Sequence, residues 1–534
     1  MNEKEIGSFE IKDKDVAGRI GRLYTPRGYL DTPALLPVID VLRQDVPLEE
    51  IRKMGFSAVI TNAYLLWRRM RDLAASKGVH GVLGFDGIVM TDSGAYQILQ
   101  YGKIDATQEA ILEFEKQVGS DIAVILDIPT GNARDRRQAA ESVRQTLQRA
   151  RDALNTIDPE RRVWTLPIQG GQFLDLLEHS AKESSQLIGK YRLLALGSPT
   201  VLLERYDYAT LVKMILTVRL SVPWSVPLHL FGAGHPMIIP FAVALGVDMF
   251  DSASYILYAR DNRIMTESRT YRLEELDYMP CNTPICVKYT PKELLEMPKQ
   301  ERTRLLALHN LYVLLSTVQK VKQAIREGRL WELLEERSRA HPSLLRAYRA
   351  MLEEKSYIEY LVSHSPRLKG GKAKGIFIFG VESLHHPRLI QHNRMLNNRY
   401  RRPASKEKAL CIPVLEEYKP FTRSPLYRWA RSVAGPTVHV VGYALAVGPV
   451  PEELAETYPL SQYETSNVAY SELVEETVSR LVAYFDAQKY SSCTVVACSD
   501  IEWSSLVAEK LAEKASSITG AAIEVENKNS CRDV

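Results

Sequence analysis

Gly246-Val-Asp-Met-Phe-Asp251-Ser-Ala-Ser-Tyr-Ile-Leu-Tyr-Ala-Arg260 brings a short, largely apolar run to an abrupt end at a carboxylate, and small residues and two tyrosines follow at once. A barrel strand delivers a reactive group to its C-terminal end in this way. Gly87-Ile-Val-Met-Thr91-Asp92-Ser93-Gly94-Ala95-Tyr96-Gln97 has the same form, so two carboxylates, Asp92 and Asp251, stand at two strand ends. Paired carboxyl groups of this kind supply acid, base and nucleophile at an anomeric carbon, where an oxocarbenium-like transition state develops.

Working outward from these two, apolar runs recur at 34–38, 58–61, 87–90, 122–126, 163–168, 193–196, 227–231 and 247–250, with helix-like spacing between them at 108–118, 135–157 and 203–218. Strands alternating with helices to this count predict an α/β fold, a (β/α)8 TIM barrel whose strand C-terminal ends carry the site. The same alternation permits an open doubly wound sheet. No Gly-x-Gly-x-x-Gly follows the first strand, which favours the barrel. The residues after the strands are polar or glycine-rich: Asn62, Asp92-Ser93-Gly94, Asp127, Gln169-Gly170-Gly171, Gly197-Ser198, Gly232-Ala233-Gly234-His235 and Asp251. Any one glycine reads equally as a tight turn and any one Asp as a helix cap. Converging on one mouth, they read as a pocket.

A chain of 534 residues exceeds what one hydrophobic core supports, so a large domain with smaller companions is expected. The content, 45% hydrophobic and 25% charged, is that of a globular protein. A net charge of +3 argues neither for nor against a nucleic-acid partner, so local clustering must decide. Six cysteines make no disulfide framework in so long a chain, and neither a leader-like start nor a membrane-length apolar run is present, which predicts a cytoplasmic protein with no membrane association.

The pattern is helical over 301–361 and breaks at Ser365-Pro-Arg-Leu-Lys-Gly-Gly371. A strand follows at 375–379, then a basic segment in which Arg388, Arg394, Arg399, Arg401, Arg402, Lys406 and Lys408 face the single Glu407. Such a stripe neutralises phosphates, although a solvated face is the usual fate of a charge run. Strands at 409–414, 437–442 and 494–498, with a helix at 471–488 and another from Ser504, predict a C-terminal α/β auxiliary domain; Cys411, Cys493, Cys498 and Cys531 read as packed or incidental thiols.

Thr91-Asp-Ser-Gly-Ala-Tyr-Gln97, Leu126-Asp-Ile-Pro-Thr130, Gln169-Gly-Gly171, His229-Leu-Phe-Gly-Ala-Gly-His-Pro236 and Phe250-Asp-Ser-Ala-Ser-Tyr-Ile-Leu-Tyr-Ala-Arg260 resemble, in order, the motifs of the tRNA-guanine transglycosylases of the archaeal, archaeosine-type branch. That resemblance implies exchange of guanine at position 15 of tRNA for 7-cyano-7-deazaguanine. The residues alone leave open which carboxylate attacks; the resemblance makes Asp251 the nucleophile at C1′ and Asp92 the general acid and base. It makes Asp127 the reader of the base edge, with Ser93, Gln169, Gly171, Gly197 and Ser198 completing the pocket. Gly197-Ser-Pro-Thr200 departs from the Gly-Ala/Gly-Val-Val-Pro that the family more often carries.

The resemblance also implies a structural Zn²⁺ held by Cys-x-Cys-x-x-Cys and a later His. Here Cys281, Cys286 and His309 remain and Thr283 stands at the middle cysteine. Either zinc binds with water or another side chain as its fourth ligand, or packing alone holds the loop. The expected organisation is a catalytic barrel over 1–345, with this metal region at 279–310, a helical linker over 346–370 and the auxiliary, tRNA-contacting domain over 371–534. Its RNA contacts would be Arg388, Arg394, Arg399, Arg401 and Arg402. The resemblance further implies a homodimer, and a separate PUA-type subunit because no PUA domain follows the auxiliary one. Two other readings stand beside this one: a nucleoside or glycoside hydrolase, which two carboxylates on a barrel also allow but which needs neither Asp127 nor the basic stripe, and a tRNA-binding paralogue that has lost exchange or modifies the base already inserted, which the departure at Thr283 favours and the retention of both Asp92 and Asp251 opposes.

Overall fold

The computed structural model describes residues 5–95, 97, 105–131, 133, 135–197, 199–367, 374–514 and 522–532. They form two compact units, 1–326 with 336–360 and 327–335 with 361–534.

In the first unit β1 (Phe9–Asp15), β2 (Gly18–Thr25) and β3 (Gly28–Thr32) form an antiparallel sheet. Eight strands follow: β4 (Ala34–Pro37), β5 (Ala58–Asn62), β6 (Ile88–Asp92), β7 (Ile122–Val124), β8 (Val163–Ile168), β9 (Leu193–Leu196), β10 (Leu228–Leu230) and β11 (Met249–Ser252). From β5 to β11 each pairs in parallel with the next in sequence, and β11 pairs in parallel with β4. A parallel bridge between Val38 and Ile60, with the Ile39 N–H donating to the Ile60 carbonyl at 2.8 Å, closes β4 onto β5. The ring is therefore a (β/α)8 barrel and not an open sheet.

Side chains alternate along a strand, so every second residue of each run points inward. Ala58 and Ile60, Ile88 and Met90, Ile122 and Val124, Leu193 and Met249 make one apolar cluster. Leu23 and Leu30, opposite each other on β2 and β3, join that cluster and plug the barrel at the strand N-terminal end. One further step along the inward rows comes Asn62, Asp92, Gly197 or Asp251. The alternation that fills the core thus ends in polar and small residues at the mouth.

Outside the ring, the helices Ala63–Leu83, Gln108–Gln117, Arg136–Asp152 and Tyr208–Ser221 start at Asn62, Thr107, Asp135 and Asp207, each accepting a backbone N–H with its side chain. A buried ion triad ties β2 and the residue just before β11 to the helix Tyr208–Ser221. Asp248 accepts from Arg19 Nε at 2.7 Å, from Arg219 Nη2 at 3.1 Å and from the Leu228 N–H at 2.8 Å. Burial and the neighbouring Arg19 charge pull Arg219 down to about 10, against the pull of Asp248. Asp248→Asn would leave two buried guanidiniums without a counter-charge, and the expected result is a loss of about 3 kcal/mol, read from the denaturant midpoint of the first unit.

The segment 346–370, expected as a linker, is divided between the units, with residues up to 360 in the first. The cause is amphipathicity: the helix Pro342–Ala350 buries Leu344, Ala347 and Tyr348 and packs on the helix Tyr208–Ser221. After β11 a hairpin, β12 (Arg263–Met265) and β13 (Thr270–Arg272), precedes the helices Pro284–Lys288, Pro291–Glu296 and Lys299–Glu327.

The second unit pairs β14 (Ile376–Ile378) with β18 (Tyr463–Thr465) and builds a five-stranded sheet from β15 (Lys408–Pro413), β16 (Val438–Ala444), β17 (Gly448–Pro451), β19 (Ser492–Cys498) and β20 (Ala522–Lys528). Its order is β17-β16-β15-β19-β20, parallel apart from β17. This is the expected α/β domain. One expectation about its cysteines is corrected: Cys498 and Cys531 form a disulfide, while Cys411 and Cys493 are buried free thiols. Pairing of Cys498 with Lys528 across β19 and β20 brings the two sulfurs together, a proximity that sequence spacing does not reveal.

Candidate active site

Asp251 lies on the inward row of β11, 8% exposed. Its Oδ1 accepts two hydrogen bonds, from His229 Nε2 at 2.8 Å and from the Gly232 N–H at 2.9 Å. Gly232 presents that N–H from the left-handed region, φ +64°, and a Cβ there would meet Thr200 Cγ2 at 2.6 Å. The helix after the strand starts at Ala253 with no side-chain cap, so the Asp251 carboxylate is not a helix cap.

Asp92 ends the inward row of β6. Asn62, its register partner on β5, reaches it with Nδ2 at 3.4 Å, and also caps its own helix through the Leu65 N–H and bonds Gln97. Burial raises Asp92 to about 7, the charges of Asp127 and Asp251 add to the rise, and the N–H groups of Gly94 and Ser93 oppose it. Around neutral pH this carboxyl group carries a proton much of the time. Ser93 itself is fully buried, with no hydrogen-bond partner for Oγ among the described residues.

Asp127 leaves β7 into the loop beyond it. Gln169 Nε2 donates to its Oδ2 at 2.5 Å, and Gln169 Oε1 accepts the Thr130 N–H at 2.9 Å, which fixes the amide orientation. Burial pushes Asp127 up to about 6 against the Gln169 bond and the Arg149 charge, leaving a carboxylate at neutral pH. Gly197 is required for this arrangement, because a Cβ there would stand 2.3 Å from Gln169 Nε2. Gly171 lies against Thr130 on the other side, its ideal Cβ 3.3 Å from Thr130 Cγ2. Ser198 lies outside the described residues.

Three carboxyl groups thus share one mouth: one that holds a proton near pH 7, one fixed by two N–H donors, and one held by an amide. The profile of the family described as Queuine tRNA-ribosyltransferase matches residues 13–343, which cover the whole barrel. The chain belongs to this family. It is 47% identical to the tRNA-guanine(15) transglycosylase of Aeropyrum pernix over 514 residues, 94% of this chain and 97% of that protein. The protein of that name from Sulfolobus acidocaldarius is 42% identical over 93% of this chain and 96% of its own length. The one from Pyrococcus furiosus is 43% identical over 71% of this chain and 63% of its own length.

The resemblance to the archaeosine-type transglycosylases also implied a metal region, and the fold brings its residues together. The sulfurs of Cys281 and Cys286 lie 2.9 Å apart, with His309 Nδ1 3.3 Å from Cys286 and 3.8 Å from Cys281. Thr283 Oγ1 approaches the same Nδ1 at 2.9 Å. On the other side of the ring Nε2 lies 2.9 Å from the Met265 carbonyl, so the proton sits there and Nδ1 turns its lone pair to the thiols. The cluster can hold a metal ion.

The basic stripe of the second unit is only partly at the surface. Arg388 is 3% exposed and donates to the Gly328 carbonyl and to Tyr458, so it leaves the set of RNA-contact candidates. Arg402 is half-buried and closes the C-terminal end of the helix Ser471–Gln488 through the carbonyls of Gln488 and Lys489. Arg394, Arg399 and Arg401 are exposed.

Sequence reasoning placed Asn62 at the mouth without a contact to Asp92 and gave His229 no role. The signal for His229 was present: one histidine inside the otherwise apolar run Pro227-Leu-His-Leu-Phe231.

Proposed function

We propose that this chain exchanges guanine at position 15 of tRNA for 7-cyano-7-deazaguanine by two displacements at C1′. The observation that carries the proposal is the difference between the two mouth carboxyl groups: Asp92, raised to about 7, can donate a proton, and Asp251 offers an oxygen while two N–H groups hold the other. Asp251 Oδ2 bonds to C1′ as the C1′–N9 bond breaks, its electron pair leaves with guanine, and Asp92 protonates N9. The incoming base then returns a proton from its N9 to Asp92 and bonds to C1′, releasing Asp251. Two inversions give retention. Asp127 accepts N–H groups of the base edge, a pattern that guanine and 7-deazaguanines share. Arg394, Arg399 and Arg401 are the assigned phosphate contacts in the second unit.

The test is incorporation of labelled guanine into an unmodified tRNA transcript by the purified chain, alongside a transcript with adenine at position 15. Incorporation into the first transcript alone is the expected result, and incorporation into neither would overturn the proposal.

The donor set of Cys281, Cys286 and His309 fits Zn²⁺, two thiolates and one oriented imidazole, with the neutral Thr283 hydroxyl beside the fourth position. When bound, the ion would cross-link the loop to the helix Lys299–Glu327, a structural and not a catalytic contribution. Thr283→Cys completes a four-donor set. Zinc in that variant is expected to survive about 10-fold more chelator than in the wild type, as followed by metal analysis after dialysis.

A further inference from the structure

We propose that His229 is a positioning residue for the nucleophile: its imidazole holds one oxygen of Asp251 so that the other faces the reacting carbon. The inference rests on the exchange reaction proposed above. His229 sits in the middle of β10, in register with Ala195 on β9 and Met249 on β11. Partners in a parallel ladder share a face, so it points into the inward layer that Met90, Val124 and Met249 otherwise fill.

A fully buried imidazole in an apolar layer is costly unless it is bonded, and an aliphatic or phenyl side chain would fill the space without that cost. The bond that accounts for it is the one to Asp251 Oδ1, at 2.8 Å. Nδ1 is buried with no hydrogen-bond partner among the described residues, so the tautomer is set from the Asp251 side, with Nε2–H donating to the carboxylate. The Gly232 N–H reaches the same oxygen at 2.9 Å. Two donors on Oδ1 fix the rotation of the carboxylate about its Cβ–Cγ bond and reserve Oδ2 for attack. Holding a nucleophile within a few tenths of an ångström of its line of attack is where such a bond acts.

The experiment compares His229→Leu, which keeps bulk without a donor, His229→Asn, whose amide is too short to reach Asp251, and His229→Gln, whose amide N–H reaches about as far as Nε2–H. Guanine exchange into tRNA, thermal midpoints and the single-turnover yield of covalent protein–RNA adduct are measured for each. Leu and Asn are expected to lower kcat and the rate of adduct formation about 100-fold. KM for tRNA and for guanine should stay within about 3-fold, and Gln should retain activity to within about 10-fold of the wild type. If Leu fails to fold, the Asn and Gln pair decides. A folded Leu or Asn variant with wild-type kcat, or a Gln variant as impaired as Asn, would overturn the inference while leaving the exchange reaction intact. A wild-type chain that exchanges no guanine would overturn the reaction itself, and the role of His229 with it.

Discussion

Asp251→Ala is expected to lower guanine exchange by at least about 10⁴-fold and to leave no covalent protein–RNA adduct, with tRNA binding retained. The size of the effect follows from the double duty of one carboxylate: it attacks C1′ and then stores the ribose until the second base arrives. Without it, exchange would have to proceed by direct displacement from the opposite face, which the protein does not equip, or through water, which yields an abasic site and no exchange. Asp92 does not replace it, because near neutral pH it carries a proton much of the time and is a poor nucleophile. Denaturing gels after a single turnover read the adduct, and filter-retained label reads the exchange. Activity within about 10-fold of the wild type would transfer the nucleophile's role to Asp92, which the spacing of strand ends alone had left open. The substitution takes the acceptor from His229 Nε2 and from the Gly232 N–H, so thermal midpoints are measured beside activity to separate lost chemistry from lost stability.

Much of this site was legible because barrel strands are written in one pattern: a short apolar run that stops at a polar residue. Each of the eight runs became a strand, and Asn62, Asp92, Gly197 and Asp251 fell where alternation carries the inward rows to the mouth. Residues 9–32 escaped notice for the opposite reason. Only Leu23 and Leu30 of β2 and β3 reach the barrel core, and the sheet is otherwise rich in charge. The basic stripe misled through its composition. Within the helix Pro387–Asn398, Arg388, His392 and Leu396 recur at intervals of four and share the buried face, whereas Arg394 lies on the exposed one. Cys498 and Cys531 meet through strand pairing, a relation between segments that sequence spacing does not encode.

Asp92→Asn is expected to cut exchange by about 10³-fold, and also to change how stability depends on pH. The loss in activity follows from proton supply: guanine departs with an extra electron pair at N9, and an amide has no proton of suitable acidity to give. In the wild type, Asp92 raised to about 7 sets the alkaline limb of kcat/KM, because above it the acid is spent before the substrate arrives. Asp127, raised to about 6, sets the acid limb, because below it the base edge loses its acceptor. A bell with apparent limbs near these values, shared between interacting groups, is the expected profile. A carboxyl group whose value rises on folding from 3.8 to about 7 holds, between those pH values, a proton that the unfolded chain has released, so raising pH through this window destabilises the native state. Asparagine has no such proton to lose. Relative to the wild type the variant should therefore gain about 2 kcal/mol between pH 4 and pH 8, less than the whole shift would give because a group at the mouth is screened. Denaturant titrations at both pH values measure it. A difference between the two proteins that does not change with pH would mean that burial and the neighbouring carboxylates do not hold the proton on Asp92, and the acid of the reaction would have to be sought elsewhere at the mouth.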